Sequence, residues 1–153
     1  PQANTGLISL DIISKMNNID IDMRGIVREY GINTVDIEPE EIIRIAKNKG
    51  FKVKKKEMNL KDISKKYPLP AILQKKDNSY IVLLALKPEE NVVLTITPLE
   101  KHPVSHTYEE LQAEIKDFVI ILKHKNADSD VKFGFKWFFN EIFKYKKIIK
   151  NHI

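Results

Sequence analysis

His102 and His106 stand four residues apart, just ahead of Glu109 and Glu110, and imidazole with carboxylate is a donor set that can hold zinc. No helix enforces that spacing at His102, so the pair reads as loop histidines and no metal is expected. Asp20, Asp22, Asp36, Glu38, Glu40 and Glu41 form an acidic stretch. Calcium coordination would need a glycine at the loop's sharp turn and a closing bidentate glutamate, and neither is in register, so helix caps and dipoles account for the acids more simply. His124 and His152 read as solvated. There is no cysteine, which removes thiolate nucleophiles, disulfides and sulfur-based zinc sites together. Thr5 suits a helix N-cap, and Tyr80 an aromatic at the end of a buried strand.

The elements that would position these residues follow from periodicity. Apolar residues Leu7, Ile8, Leu10, Ile12, Ile13 and Met16 cover most of a helix from Thr5 to Met16. Asp22 can cap a second helix that runs to about Tyr30, with Gly31 closing it. Pro39, followed by Glu40 and Glu41, opens a third helix, and Gly50 stops it. Residues 51–56 alternate as a half-buried strand. A capped helical turn is expected over 59–65, and strands over 69–73, 80–86 and 92–97. Residues 98–105 read as a loop. Thr107 and Glu110 form a capping box for a helix to about Lys116, and residues 118–123 are the last strand. Three helices followed by a meander of antiparallel strands, interrupted by one helix, is an α+β pattern.

The 153 residues are 42% hydrophobic and 31% charged, enough for one domain with a sizeable core. The net charge of +5 is not spread evenly. Residues 131–153 hold six lysines against the single acid Glu141, and the other 130 residues balance to zero. Seven of the thirteen aromatic residues also lie between Phe133 and Tyr145. Rings and lysines so mixed suit a water–lipid boundary, so Trp137, Phe138, Phe139, Lys144, Tyr145, Lys146 and Lys147 read as a membrane-proximal segment. A helix packed on the domain's own core and single-stranded nucleic-acid binding are the rival readings, and the neutral balance elsewhere argues against nucleic acid. No stretch is long and apolar enough to cross a membrane, and both ends read as cuts in a longer chain. The expected division is a domain over 1–125, then a linker and basic aromatic segment over 126–153.

Several strings resemble the C39 bacteriocin-processing peptidases. Thr5-Gly6-Leu7-Ile8-Ser9-Leu10 is similar to the segment in which that family's Asp-Cys-Gly opens the first helix. Residues 42–54 resemble its long helix and lysine-rich strand, Leu69-Pro70-Ala71 its Leu-Pro-Ala, residues 77–83 its Gly-His-Tyr/Phe-Val strand, and residues 93–98 the strand ending in Asp-Pro. Lys132-Phe133-Gly134-Phe135-Lys136-Trp137-Phe138, with Lys144-Tyr145-Lys146-Lys147 after it, resembles the stretch that joins this domain to the first transmembrane helix in haemolysin-type exporters.

The resemblance implies a papain-like α+β fold with N-terminal helices packed on an antiparallel sheet. It also places the catalytic triad, and here the sequence departs from the family at every position. The cysteine position falls on Thr5, the histidine position on Tyr80 and the aspartate position on Thr97. Gln2 lies too close to Thr5 to match the family's oxyanion glutamine. Tyrosine stays protonated near neutral pH and cannot accept a nucleophile's proton as histidine does. The expectation is therefore an inactive peptidase homologue that docks an unfolded RTX-type substrate for a type I secretion ABC transporter, at the cytoplasmic side of the bacterial inner membrane. Thr5, Tyr80 and Thr97 are its candidate contacts. No cofactor is expected in this domain, while ATP and magnesium would serve the parent transporter, whose further partners would be membrane-fusion and outer-membrane components. An active double-glycine leader peptidase, or a basic-tail nucleic-acid-binding protein, is the alternative. Strand edges around 92–97 or 118–123 could add main-chain hydrogen bonds to a bound segment.

Overall fold

The computed structural model describes residues 4–32, 36–63, 66–100 and 102–124. Gln2, His152 and the basic aromatic segment, with Trp137, Phe138, Phe139, Lys144, Tyr145, Lys146 and Lys147, lie outside the described residues.

Helix α1 (Thr5–Met16) begins where its sequence pattern places it, but its cap is Asn4, whose side chain accepts the Leu7 N–H at 3.1 Å. Thr5 is already the first helical residue, so its hydroxyl is released for another contact. Helix α2 (Met23–Tyr30) is capped by Asp22 and closed by Gly31 at φ 63°, a left-handed conformation that glycine adopts without steric cost. Helix α3 (Pro39–Asn48) has Pro39 in its first turn and Glu40 and Glu41 at its positive end.

The strands are β1 (Phe51–Glu57), β2 (Ala71–Gln74), β3 (Tyr80–Lys87), β4 (Val92–Ile96), β5 (Pro103–His106) and β6 (Phe118–His124), with helix α4 (Tyr108–Glu114) between the last two. Thr107 and Glu110 form the expected capping box of α4. A single 3₁₀ turn over Leu60–Asp62 stands where a longer helical turn is expected. All pairings are antiparallel, in the order β1-β6-β2-β3-β4-β5.

Three expectations are corrected here. The 98–105 loop contains a strand, because residues 103–106 pair in register with β4 from Val93 to Ile96. The sheet is no simple meander, since β6 inserts between β1 and β2. For the same reason β4 and β6 are interior strands, and the edges belong to β1 and β5. A main-chain partner could not add to either strand named from sequence.

Each face of the sheet buries its own cluster. On one face α1 and α3 pack Leu7, Leu10, Ile42 and Ile45 against Val82, Leu84, Leu94 and Ile120. On the other, Leu60, Tyr108, Leu111 and Ile115 pack against Leu73, Leu83, Val93 and Val119. Removing apolar surface from water on both faces explains why β2, β3 and β4 read as continuous apolar runs, without alternation. His124 is a further correction. It is 8% exposed, edge-on to the Phe51 ring at 4.9 Å, with Nε2 3.2 Å from the Lys49 carbonyl oxygen.

Candidate functional site

The N-terminus of α1 sits against the start of the central strand β3, and this junction carries the candidate site. Thr5 is 6% exposed, and its Oγ1 accepts the backbone N–H of Tyr80 at 2.8 Å. One helical residue further on, the Gly6 N–H donates to Asp36 Oδ1 at 3.1 Å. A carboxylate there also meets the positive end of the α1 dipole.

Tyr80 is fully buried, and its hydroxyl donates to the Ile37 carbonyl at 2.7 Å. Its ring lies directly on Gly6. A Cβ built on that glycine would stand 3.1 Å from Tyr80 Cδ2 and 2.8 Å from Ile42 Cδ1, so the helix and ring approach this closely only because residue 6 has no side chain. Burial first, and then the carboxylates of Glu38, Asp36 and Glu40, hold the Tyr80 phenol above its ordinary range. It therefore stays a neutral donor with its proton committed to Ile37.

These contacts define what the junction can do chemically. The Thr5 hydroxyl is buried as an acceptor of a backbone N–H, and the Tyr80 phenol beside it is a neutral donor that cannot take up a proton. Among the described residues no imidazole hydrogen-bonds to Thr5 or Tyr80. Thr97 follows the end of β4, one residue beyond the Val82–Ile96 pair, and its carbonyl accepts the Glu100 N–H at 3.1 Å in a turn. Among the described residues no hydrogen bond joins its side chain to Thr5 or Tyr80. The structure thus joins Thr5 and Tyr80 by a hydrogen bond and places Thr97 just past the end of the neighbouring strand pair, with no hydrogen bond to either among the described residues.

Sequence reasoning placed Asp36 only among the acids that serve helix caps and dipoles, without its partner Gly6, and missed Ile37. They come from the segment before α3, and Asp36 lies 30 residues from the N–H it binds, so no local spacing marks it. Asp36 and Ile37 also line an open cleft of about 840 Å³ beside the junction, together with Tyr30, Glu38, Glu41 and Arg44. The two loop histidines do not converge. His102 is exposed beside Glu100 at 3.4 Å, whereas His106 Nε2 is 2.9 Å from Thr95 Oγ1 across the β4–β5 pair. Among the described residues no group of three or more potential ligands is placed to hold a metal ion.

Helices α1 and α3 on one face of a six-stranded antiparallel sheet, with the first helix docked by its N-terminus on the start of a central strand, define a papain-like peptidase fold. The chain belongs to the peptidase C39 family, whose model matches residues 1–127. It is 26% identical over 147 residues to the alpha-haemolysin translocation ATP-binding protein HlyB of Proteus vulgaris, and 24% identical over 147 residues to the leukotoxin export ATP-binding protein LtxB of Aggregatibacter actinomycetemcomitans. Both alignments cover 95% of this chain and 21% of the relative, so the chain spans about a fifth of the length of these proteins. The fold matches the N-terminal peptidase C39 like domain of a toxin secretion ATP-binding protein from Vibrio parahaemolyticus with a TM-score of 0.72, at 22% identity, over 82% of this chain and all of that one. It also matches a double glycine motif protease from an AMS/PCAT transporter, solved with its leader peptide, with a TM-score of 0.70 at 17% identity over 80% of this chain and 85% of that one.

Proposed function

We propose that this domain holds an unfolded protein substrate for a type I secretion ABC transporter without cleaving it. The observation that carries the reading is the Thr5–Tyr80 contact, where the Thr5 hydroxyl accepts a backbone N–H and the buried Tyr80 ring lies over the start of α1 with its hydroxyl committed to Ile37. A serine or threonine nucleophile needs a base within hydrogen-bond reach, and the group within reach here is a backbone N–H that donates. What remains of a peptidase once the chemistry is lost is a scaffold shaped to receive extended chain. Relatives named for translocating alpha-haemolysin and exporting leukotoxin supply the substrate class, a secreted toxin-type protein. Among the described residues no helix is long and apolar enough to cross a membrane. Membrane spans, ATP and magnesium would then belong to the rest of a parent transporter, and residues 126–153 would lead toward its membrane domain.

The test is to titrate the 153-residue chain with a secreted toxin-type protein in its unfolded and folded states, and in parallel to incubate it with a double-glycine leader peptide and follow the peptide by mass spectrometry. The expected outcome is binding of the unfolded protein alone and an intact leader peptide. Thr5→Cys is expected to leave the peptide intact too, because no base is restored with the thiol. Cleavage by the unaltered chain, or no preference for the unfolded protein, would overturn the reading.

A further inference from the structure

The face of the sheet opposite α1 and α3 carries an unbalanced set of lysines at its β1–β6 end. β1 and β6 pair so that Lys52 lies directly opposite Lys123, and Lys54 follows two residues along on the same face. All three are exposed, and none of them makes an ion pair among the described residues. Further along that face, the Nζ atoms of Lys56 and Lys66 stand 4.9 and 5.8 Å from the centre of the Tyr67 ring. Like charges directly opposed across a strand pair destabilise a sheet, so this arrangement costs the fold something.

Lysines on an edge strand have an ordinary explanation, since they discourage another chain from pairing there. That explanation covers Lys52, Lys54 and Lys56 on β1. It does not reach Lys123, because β6 is an interior strand, nor Lys66 stacked on Tyr67. We infer that this lysine-lined face binds an anionic membrane surface.

Three features favour a bilayer over another anion. The lysines ride on neighbouring strands as a broad face and converge on no single point, which suits many headgroups at once. Tyr67 sets an amphipathic ring among them, and such rings favour the headgroup level. The sequence beyond this patch has the same character, since residues 131–153 hold six lysines and seven aromatics. Each lysine near an anionic leaflet contributes roughly fivefold in affinity, so three contribute about a hundredfold.

The experiment is co-sedimentation of the 153-residue chain with vesicles of phosphatidylcholine alone and of phosphatidylcholine mixed with phosphatidylglycerol. The unaltered chain is expected to bind the anionic vesicles and not the neutral ones. Replacing Lys52, Lys54 and Lys123 together by glutamine is expected to weaken that binding by about a hundredfold while the basic segment stays intact. The triple glutamate variant should weaken it at least as much, and gives a second reading if the glutamine variant folds poorly; thermal unfolding checks both. Anionic-vesicle binding unchanged in the folded variants would overturn the proposal. So would a loss seen only against a single-stranded oligonucleotide or an acidic peptide.

Discussion

Thr5 and Tyr80 lie 75 residues apart in sequence, yet a 2.8 Å hydrogen bond ties the start of α1 to the start of β3. A buried N–H left without an acceptor costs about 1–3 kcal/mol, more than the same bond contributes when made, because nothing replaces the water it gave up. Thr5→Val keeps the shape and removes the acceptor, so it is expected to lower stability by about 2 kcal/mol, whereas Thr5→Ser keeps the oxygen and is expected to cost under about 1 kcal/mol. Urea unfolding of the two variants separates the explanations. A loss confined to Thr5→Ser would mean that the methyl group matters and the hydrogen bond does not. The residue types at this junction were legible as a departure from peptidase chemistry. Their contact was not, because a threonine that reads as an N-cap gives no sign that its neighbour Asn4 takes that task and frees it.

At the scale of elements, what is decided within one turn could be read, and what is decided across the sheet could not. Asp22, Gly31, Pro39 and the Thr107–Glu110 pair act within four residues of themselves, and each stands at the helix end its chemistry indicates. By contrast, nothing in the apolar run of residues 118–122 says that it pairs with β1 and β2. The short strand β5 is half-exposed and lacks the alternation that marks a strand, so it reads as loop. His124 escaped for the same reason, being polar and near a basic segment while its burial depends on Phe51 and Gly50 across the β1–β6 pair. Gly50 shows the consequence. It has φ 95°, and a Cβ there would fall 2.8 Å from His124 Nε2, so Gly50→Ala meets both a strained backbone and a ring held by Phe51. It is expected to cost about 2–4 kcal/mol. Gly31→Ala has the left-handed backbone but open space, and is expected to cost about 1 kcal/mol. Denaturant midpoints that rank the two the other way would remove His124 from the account.

The whole molecule is neutral up to residue 130, but the charge is sorted: carboxylates gather around the start of α3, and lysines on the β1–β6 end of the opposite face. Folding couples to pH through individual sites, and near neutral pH His106 is one whose shift has a clear direction. Burial pushes its pKa below the ordinary histidine value of 6.5, against the smaller upward pull of Glu114 and Glu110. The unfolded chain then takes up a proton near pH 6.5 that the folded chain binds only at lower pH. Stability from this group is complete above about pH 6.5 and is lost as pH falls through and below that value. Between roughly pH 7.5 and 5.5 histidine is the side chain that ordinarily titrates, while most carboxylates remain ionised. The melting temperature of the unaltered chain is accordingly expected to drop across this range by more than that of His106→Gln, which keeps a polar partner for Thr95 but carries no titratable ring. Parallel curves for the two proteins would show that the β4–β5 pair does not sense protonation, and that any pH dependence arises elsewhere in the molecule.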